Sequence, residues 1–407
     1  ARNTVLGYAA LSADTTGQYS VAVGYGTLAN QNFTGGEASY NTAVGYDAGN
    51  DVTTGTMNTL VGTLTGDALT TGSRNTAMGV SALSSEDTGS KNTAFGYASL
   101  GVLNYNGDGY NTAVGYEAGA AMTTGIQNTI IGGLAGDALT TGGGNIAIGH
   151  QALSASVDGY FNTAVGHLAL QDYEDGDGNG HNTAIGASSQ LNASTGEFNT
   201  SLGSLSMGVG VATGNDNVAL GYKAGQTITS GQRNAFIGSF AGDAVTTSSY
   251  NVGVGYGALS AEDTHGKNVA IGYQALVVQN AGSDAYNVAV GFSAGNAITT
   301  GIENTLVGSE SGDALTTGSY NATFGVASLG SATVGSRNIA IGQNALRVNI
   351  RADRNVAIGR AALENLIGDG STANQAMYNT AVGDEAGKNI TTGVFNTLVG
   401  GQAGDAM

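Results

Sequence analysis

Asn41-Thr42-Ala43-Val44-Gly45-Tyr46-Asp47-Ala48-Gly49-Asn50-Asp51-Val52-Thr53-Thr54-Gly55-Thr56-Met57 is one complete phrase of this chain, and at Asn58 the phrase begins again. The opening Asn-Thr-Ala-Val-Gly, or a close variant of it, recurs about 23 times between Asn3 and Asn396, most often 17 residues apart. Asn leads every copy but one, where Ser20 stands. A unit this short cannot bury its own apolar face, so it must stack on its neighbours. The second and fourth positions are mostly Thr or apolar residues, as in Thr42 and Val44, Ile146 and Ile148, or Val356 and Ile358, and the third is usually Ala. That alternation, rich in β-branched residues, is a strand signal. A second short stretch follows, such as Tyr46–Gly49, and then a turn of the type Thr53-Thr54-Gly55.

The expected fold is all-β: a parallel β-solenoid with one repeat of about 17 residues per coil, each coil holding two short strands and two turns. Strands of successive coils should pair in parallel at roughly 4.8 Å, so that about 23 coils give a rod of roughly 110 Å. A helical solenoid would need about twice as many residues per repeat. The repeat Asn residues should stack in a line. The fourth-position residues Val44, Val61, Val114, Ile148 and Ile271 are expected to face inward. Residues 1–407 read as a single continuous solenoid. The chain opens at Ala1-Arg2-Asn3 and stops at Gly404-Asp405-Ala406-Met407, both in mid-phrase, so a segment of a longer polypeptide is expected.

A second period lies above the first. Asn41 to Asn111 and Asn217 to Asn287 each run 17, 17, 17 and 19 residues, a four-coil block of 70. One coil in four has a large third residue (Leu60, Ile130, Phe236, Leu306, Leu398) and is followed by Gly-Asp-Ala, as at Gly66-Asp67 and Gly242-Asp243. The last coil of a block usually carries an insertion: Asn104–Tyr110, Asp172–His181, Gln279–Tyr286 and Ile367–Tyr378. Insertions in such repeats map to turns on one face.

Composition narrows the function classes. The net charge is −18, with 30 acidic against 12 basic side chains, and an acidic surface repels nucleic-acid phosphates. There is no Cys, hence no disulfide or thiol chemistry. No apolar run reaches transmembrane length, so no membrane insertion is expected within these residues. Gly is abundant, 69 residues, but without a Gly-X-Y period.

The phrases Asn268-Val269-Ala270-Ile271-Gly272, Asn338-Ile339-Ala340-Ile341-Gly342 and Asn355-Val356-Ala357-Ile358-Gly359 resemble the head repeats of trimeric autotransporter adhesins. The longer form from Asn111 to Gly119 is similar to repeats of phage tail fibres and bacterial surface proteins. The resemblance covers essentially the whole chain. It implies a left-handed parallel β-roll, three chains side by side, and an extracellular adhesive fibre. The coils here are longer than the usual head repeat, and no heptad neck, stalk or membrane anchor is visible. Recurrent alanines such as Ala113, Ala147 and Ala270 would also let another surface approach closely, although the same alanines can pack a narrow interior.

These readings lead to an extracellular fibre segment, a rigid spacer and host or cell-surface adhesin. A phage tail fibre binding surface glycan comes first. A bacterial surface adhesin or filament subunit is the alternative, and a purely structural shaft is a third. The partners expected are the chain itself, as a homotrimer, and a cell-surface glycan or receptor. An enzyme is not expected, with a polysaccharide depolymerase as the competitor. The four His are His150, His167, His181 and His265; His150 and His167 stand one coil apart and should stack, and no catalytic residue is assigned.

Asp175-Gly176-Asp177-Gly178-Asn179-Gly180 matches the first half of a calcium loop, with Asp172 close by, but the closing Glu is replaced by Gly186. Asp172, Asp175, Asp177 and Asn179 are therefore the candidate metal ligands, calcium the candidate ion, and no other cofactor is expected. Insertions escape the stacking constraint and carry Asp, Asn, Gly and Tyr, so Tyr105, Asp108, Tyr173, Asp284 and Asn374 are the candidate receptor contacts. Tyrosines that follow the repeat Gly or precede the repeat Asn read as turn packing first and a sugar-stacking surface second.

Overall fold

The computed structural model describes residues 2–174, 180–368 and 374–405. Among them there is no helix. The chain forms two compact units, Ala1–Ser204 and Leu205–Met407, and both are parallel β-solenoids with coils of about 17 residues. The first carries three-residue strands from Thr4–Leu6 to Thr200–Leu202, the second from Val218–Leu220 to Thr397–Val399. Within each unit the strands pair in parallel, one residue to one. Thr42, Ala43 and Val44 meet Thr59, Leu60 and Val61, and Ile339, Ala340 and Ile341 meet Val356, Ala357 and Ile358.

The inside of the coil is the third position, not the fourth. Ala43, Leu60, Ala113, Ala147 and Ala270 are fully buried. Val44, Val61, Val114 and Ile148 are only half-buried, and Ile271 is exposed, on the outer side of the strand. The expectation that these five face inward is therefore overturned. The cause is the period of two. Asn41 and Ala43 share one side of the strand, Thr42 and Val44 the other. Only one side can be inside, and Asn claims it.

Asn claims it because its amide completes the backbone. Asn41 Oδ1 accepts the Asn58 N–H at 2.9 Å, and Asn58 Nδ2 donates to the Gly72 carbonyl at 2.9 Å. The same pair of bonds recurs at Asn128, which takes the Asn145 N–H and donates to Gly142. Buried peptide groups at the turn are thereby satisfied. The Asn line expected from the sequence is present, with turn carbonyls as its second partner.

Among the described residues most coils hold one regular strand, where two were expected; the exception is the two-residue parallel pair Ala352–Asp353 with Gln375–Ala376. The stretch after the strand alternates between right- and left-handed residues, with Asp47 at φ 51° and Gly49 at φ 58°. Its N–H groups point alternately along the stack: Asp47 donates back to Tyr25 and Gly49 donates forward to Thr65, both at 2.9 Å. The glycine that closes each strand is required by contact. At Gly45, φ is 145° and a Cβ would overlap the carbonyl of Gly62 in the next coil.

Size complementarity explains the four-coil block. Leu60 lies where a Cβ on Gly66 or Gly49 would come within 2.9 and 2.6 Å of its side chain. Coils with a small third residue, Ala77 and Ala94, carry the buried Leu83 and Leu100 at the place of Gly66. Phe236 stands in the same relation to Gly242 and Gly225. The large side chain enters the core from one wall of the coil or from the other, at constant volume.

Candidate recognition site

A regular coil leaves few polar groups for a ligand. Its turn Gly donates to the next coil, as Gly55 does to the Thr70 carbonyl and Gly125 to Thr140, each at 3.2 Å. Before four of the elongated coils an inward side chain takes the place of that carbonyl. Glu86 accepts the Gly89 N–H at 2.8 Å, Glu262 the His265 N–H at 3.1 Å, Asp14 the Gly17 N–H at 2.8 Å and Asn349 the Ala352 N–H at 2.7 Å. Each of these four lies in the coil immediately preceding a long one. The displaced turn also costs the Asn line an acceptor. Asn92 is buried, and its Nδ2 has no partner, because the residue fourteen places on is Asn106, inside the insertion. Burial holds the carboxyls of Glu86 and Glu262 at about 7, against the pull of the turn N–H groups they accept.

The loop residues singled out from the sequence fall into different settings. Asp108 is exposed and Asp284 half-buried, and both are engaged: each accepts a bond of 2.6 Å from a lysine of the preceding coil, Lys91 and Lys267. The same lysines reach Tyr110 and Tyr286 at 2.8 and 3.0 Å. These ion pairs hold both aspartates below the usual carboxylate range. Tyr105 is half-buried, with its N–H directed at Glu86. Tyr173 is fully buried, so it cannot be a receptor contact; it occupies the inward turn position that Leu103 fills elsewhere. Asn374 is exposed and donates to the Val334 carbonyl at 3.1 Å. Of the candidate calcium ligands, Asp172 is exposed, while Asp175, Asp177 and Asn179 lie outside the described residues. Among the described residues, Glu262, Asp263 and His265 bring possible ligand atoms within 4.8 Å of one another, but the Glu262 carboxylate is already the acceptor for that turn.

Tyrosine ladders are real, and their ring faces are occupied. Tyr8, Tyr25 and Tyr46 stack at 5.4 and 5.3 Å, and Tyr256, Tyr273 and Phe292 at 5.5 and 5.1 Å. His150 and His167 stack at 5.6 Å, as their one-coil spacing indicated. Rings that cover each other offer edges, not faces, to a sugar.

Sequence reading saw the tyrosines of one column, the residue before each repeat Asn, but passed over its cations. Seven of the twelve cationic side chains stand there: Arg2, Arg74, Lys91, Arg233, Lys267, Arg337 and Arg354. Tyrosines fill many of the remaining rungs, and cations lie over their rings at 4.8 Å for Lys91 on Tyr110 and 5.1 Å for Arg337 on Tyr320. The signal was present as Lys/Arg or Tyr preceding Asn, and counting by register rather than along the chain would have found it.

The outer sheet surface is the other unfilled feature. Thr and aliphatic residues line it, with Met78, Phe95 and Ile131 exposed in the first unit and Ile271, Phe324 and Ile341 in the second. No helix among the described residues is long and apolar enough to cross a membrane. No protein-family model and no curated protein matches the chain.

Proposed function

We propose that this chain is a fibre-forming segment that assembles with copies of itself, spaces, and adheres to a cell-surface glycan. The observation that carries the reading is the outer strand surface. Positions two and four put Thr, Val, Ile, Leu and Phe side by side on coil after coil within each unit, and an apolar stripe of this kind marks an association surface. Copies packed in parallel and in register would cover equivalent positions, as symmetric homo-oligomers do. The resemblance to trimeric adhesin heads sets the number at three. The buried alanines give no support to assembly, since they fill the interior.

Adhesion is assigned to the insertions. Coil backbone and Asn amides are engaged in stacking, whereas the insertions expose Asp, Asn and Tyr at intervals of four to six coils. An assembly of three would multiply weak sites through avidity. A phage tail fibre is the first setting and a bacterial surface adhesin the second. A plain shaft is favoured by one specific observation, the internal engagement of Asp108 and Asp284. Cutting Asn104–Tyr110, Asp172–His181, Gln279–Tyr286 and Ile367–Tyr378 back to the regular length tests this. Retained fold and assembly with lost binding to glycan-coated cells supports adhesion; undiminished binding means that the segment only spaces.

A further inference from the structure

The strand register of the second unit brings four residues of the pre-Asn column into consecutive rungs. Ala322 meets Ile339, Ile339 meets Val356 and Val356 meets Thr380, so Tyr320, Arg337, Arg354 and Tyr378 follow one another. Each guanidinium packs on the tyrosine at its outer side, Arg337 on Tyr320 at 5.1 Å and Arg354 on Tyr378 at 5.4 Å. Arg354 also donates to the Tyr378 hydroxyl at 2.8 Å. The two arginines are thus adjacent across one rung, about 4.8 Å apart in backbone, and like charges so placed repel.

For three of the five other cations in the column a carboxylate relieves the charge. Lys91 has Asp108, Lys267 has Asp284, and Arg233 has Asp216 at 3.5 Å. Among the described residues Arg337 and Arg354 form no ion pair, and both are exposed. Asp353, the neighbouring carboxylate, lies within electrostatic reach of both guanidiniums but forms an ion pair with neither; it is half-buried and accepts the Ser336 N–H at 2.7 Å. The described end of the insertion, residues 374–378, lies against the same place, since Gln375 and Ala376 pair with Ala352 and Asp353, and Asn374 is exposed beside them.

We propose that Arg337 and Arg354, flanked by Tyr320 and Tyr378, form a subsite for an acidic glycan, recognised through its carboxylate or sulfate groups. This rests on the adhesive reading and names its ligand class. Planar guanidiniums match carboxylate and sulfate oxygens with paired N–H donors, and the tyrosine hydroxyls and Asn374 supply hydrogen-bond partners for sugar hydroxyls. The overall charge of −18 does not forbid an anion here, because acidic groups beyond about 8 Å are largely screened at physiological salt.

The test uses the full chain with polygalacturonate, dextran sulfate and neutral dextran as probes, in biolayer interferometry at two salt concentrations, and cell adhesion in parallel. Expected is salt-sensitive binding to at least one charged polymer and none to neutral dextran. The double variant Arg337→Gln/Arg354→Gln should lose that binding at least tenfold. Arg347→Gln/Arg360→Gln, which removes two cations already paired with Glu364, Asp384 and Glu385, should change it less than twofold. The preferred polymer distinguishes carboxylate from sulfate. Equal loss in both double variants, unchanged binding in the first, or no binding of the parent to either charged polymer overturns the subsite. A parent that binds polymer through these arginines but adheres to no cell keeps the subsite and removes the adhesive reading.

Discussion

At the scale of single residues, each coil is held by side chains that stand in for missing backbone partners. Asn128 is the type case: its carbonyl oxygen takes the Asn145 N–H and its amide serves Gly142. Asn128→Ala should cost about 1–3 kcal/mol in chemical denaturation, since a buried N–H and a buried carbonyl lose their partners. Glu86 and Glu262 do comparable work for turns that face an insertion, and burial holds them at about 7. Both bind a proton more tightly folded than unfolded, so between their ordinary value near 4.5 and about 7 the native state carries the extra proton. Stability from these groups therefore falls as pH rises through that window. Asp67, Asp137, Asp243 and Asp313 are raised by burial as well and act in the same direction. The double variant Glu86→Gln/Glu262→Gln should show a shallower loss of melting temperature from pH 5 to 8 than the parent; identical profiles would contradict the assignment.

At the scale of the coil, the strand has an inside and an outside that the sequence alone left ambiguous. Alternation was plain from Thr42-Ala43-Val44, and so were period, parallel stacking and the Asn line. Which side was inside was not, because valine is the usual core residue and alanine is not. The deciding fact is that Asn41 is needed within, which carries Ala43 with it and sends Val44 out. The second strand was misread because Tyr46–Asn50 gives no sign of its left-handed residues beyond Gly49. The insertions were legible as candidate loops, but the burial of Tyr173 and the pairing of Asp108 and Asp284 depend on register between coils. Substitution separates the two faces. Ala113→Leu should overpack the interior and cost about 1–3 kcal/mol, whereas Val114→Lys should leave the coil folded by circular dichroism. The core block makes a coupled prediction. Leu60→Ala should cost about 2–5 kcal/mol, Gly66→Leu should also destabilise, and the two together should cost less than their sum, because the pair reproduces the Ala77 and Leu83 arrangement.

At the scale of the whole molecule, most polar groups of the coils are engaged internally, and what remains outward is the aliphatic strand surface, the insertions and a column of cations and tyrosines. An acidic chain with an apolar stripe on each unit should be soluble as an assembly rather than alone, and covering those stripes with further copies of the chain reconciles the two. Light scattering of the soluble segment at micromolar concentration tests this most directly. The account predicts a mass three times the 40.2 kDa of the chain, falling to a single folded chain when Val61 and Val114 are both replaced by Lys. A parent that scatters as a monomer would contradict it.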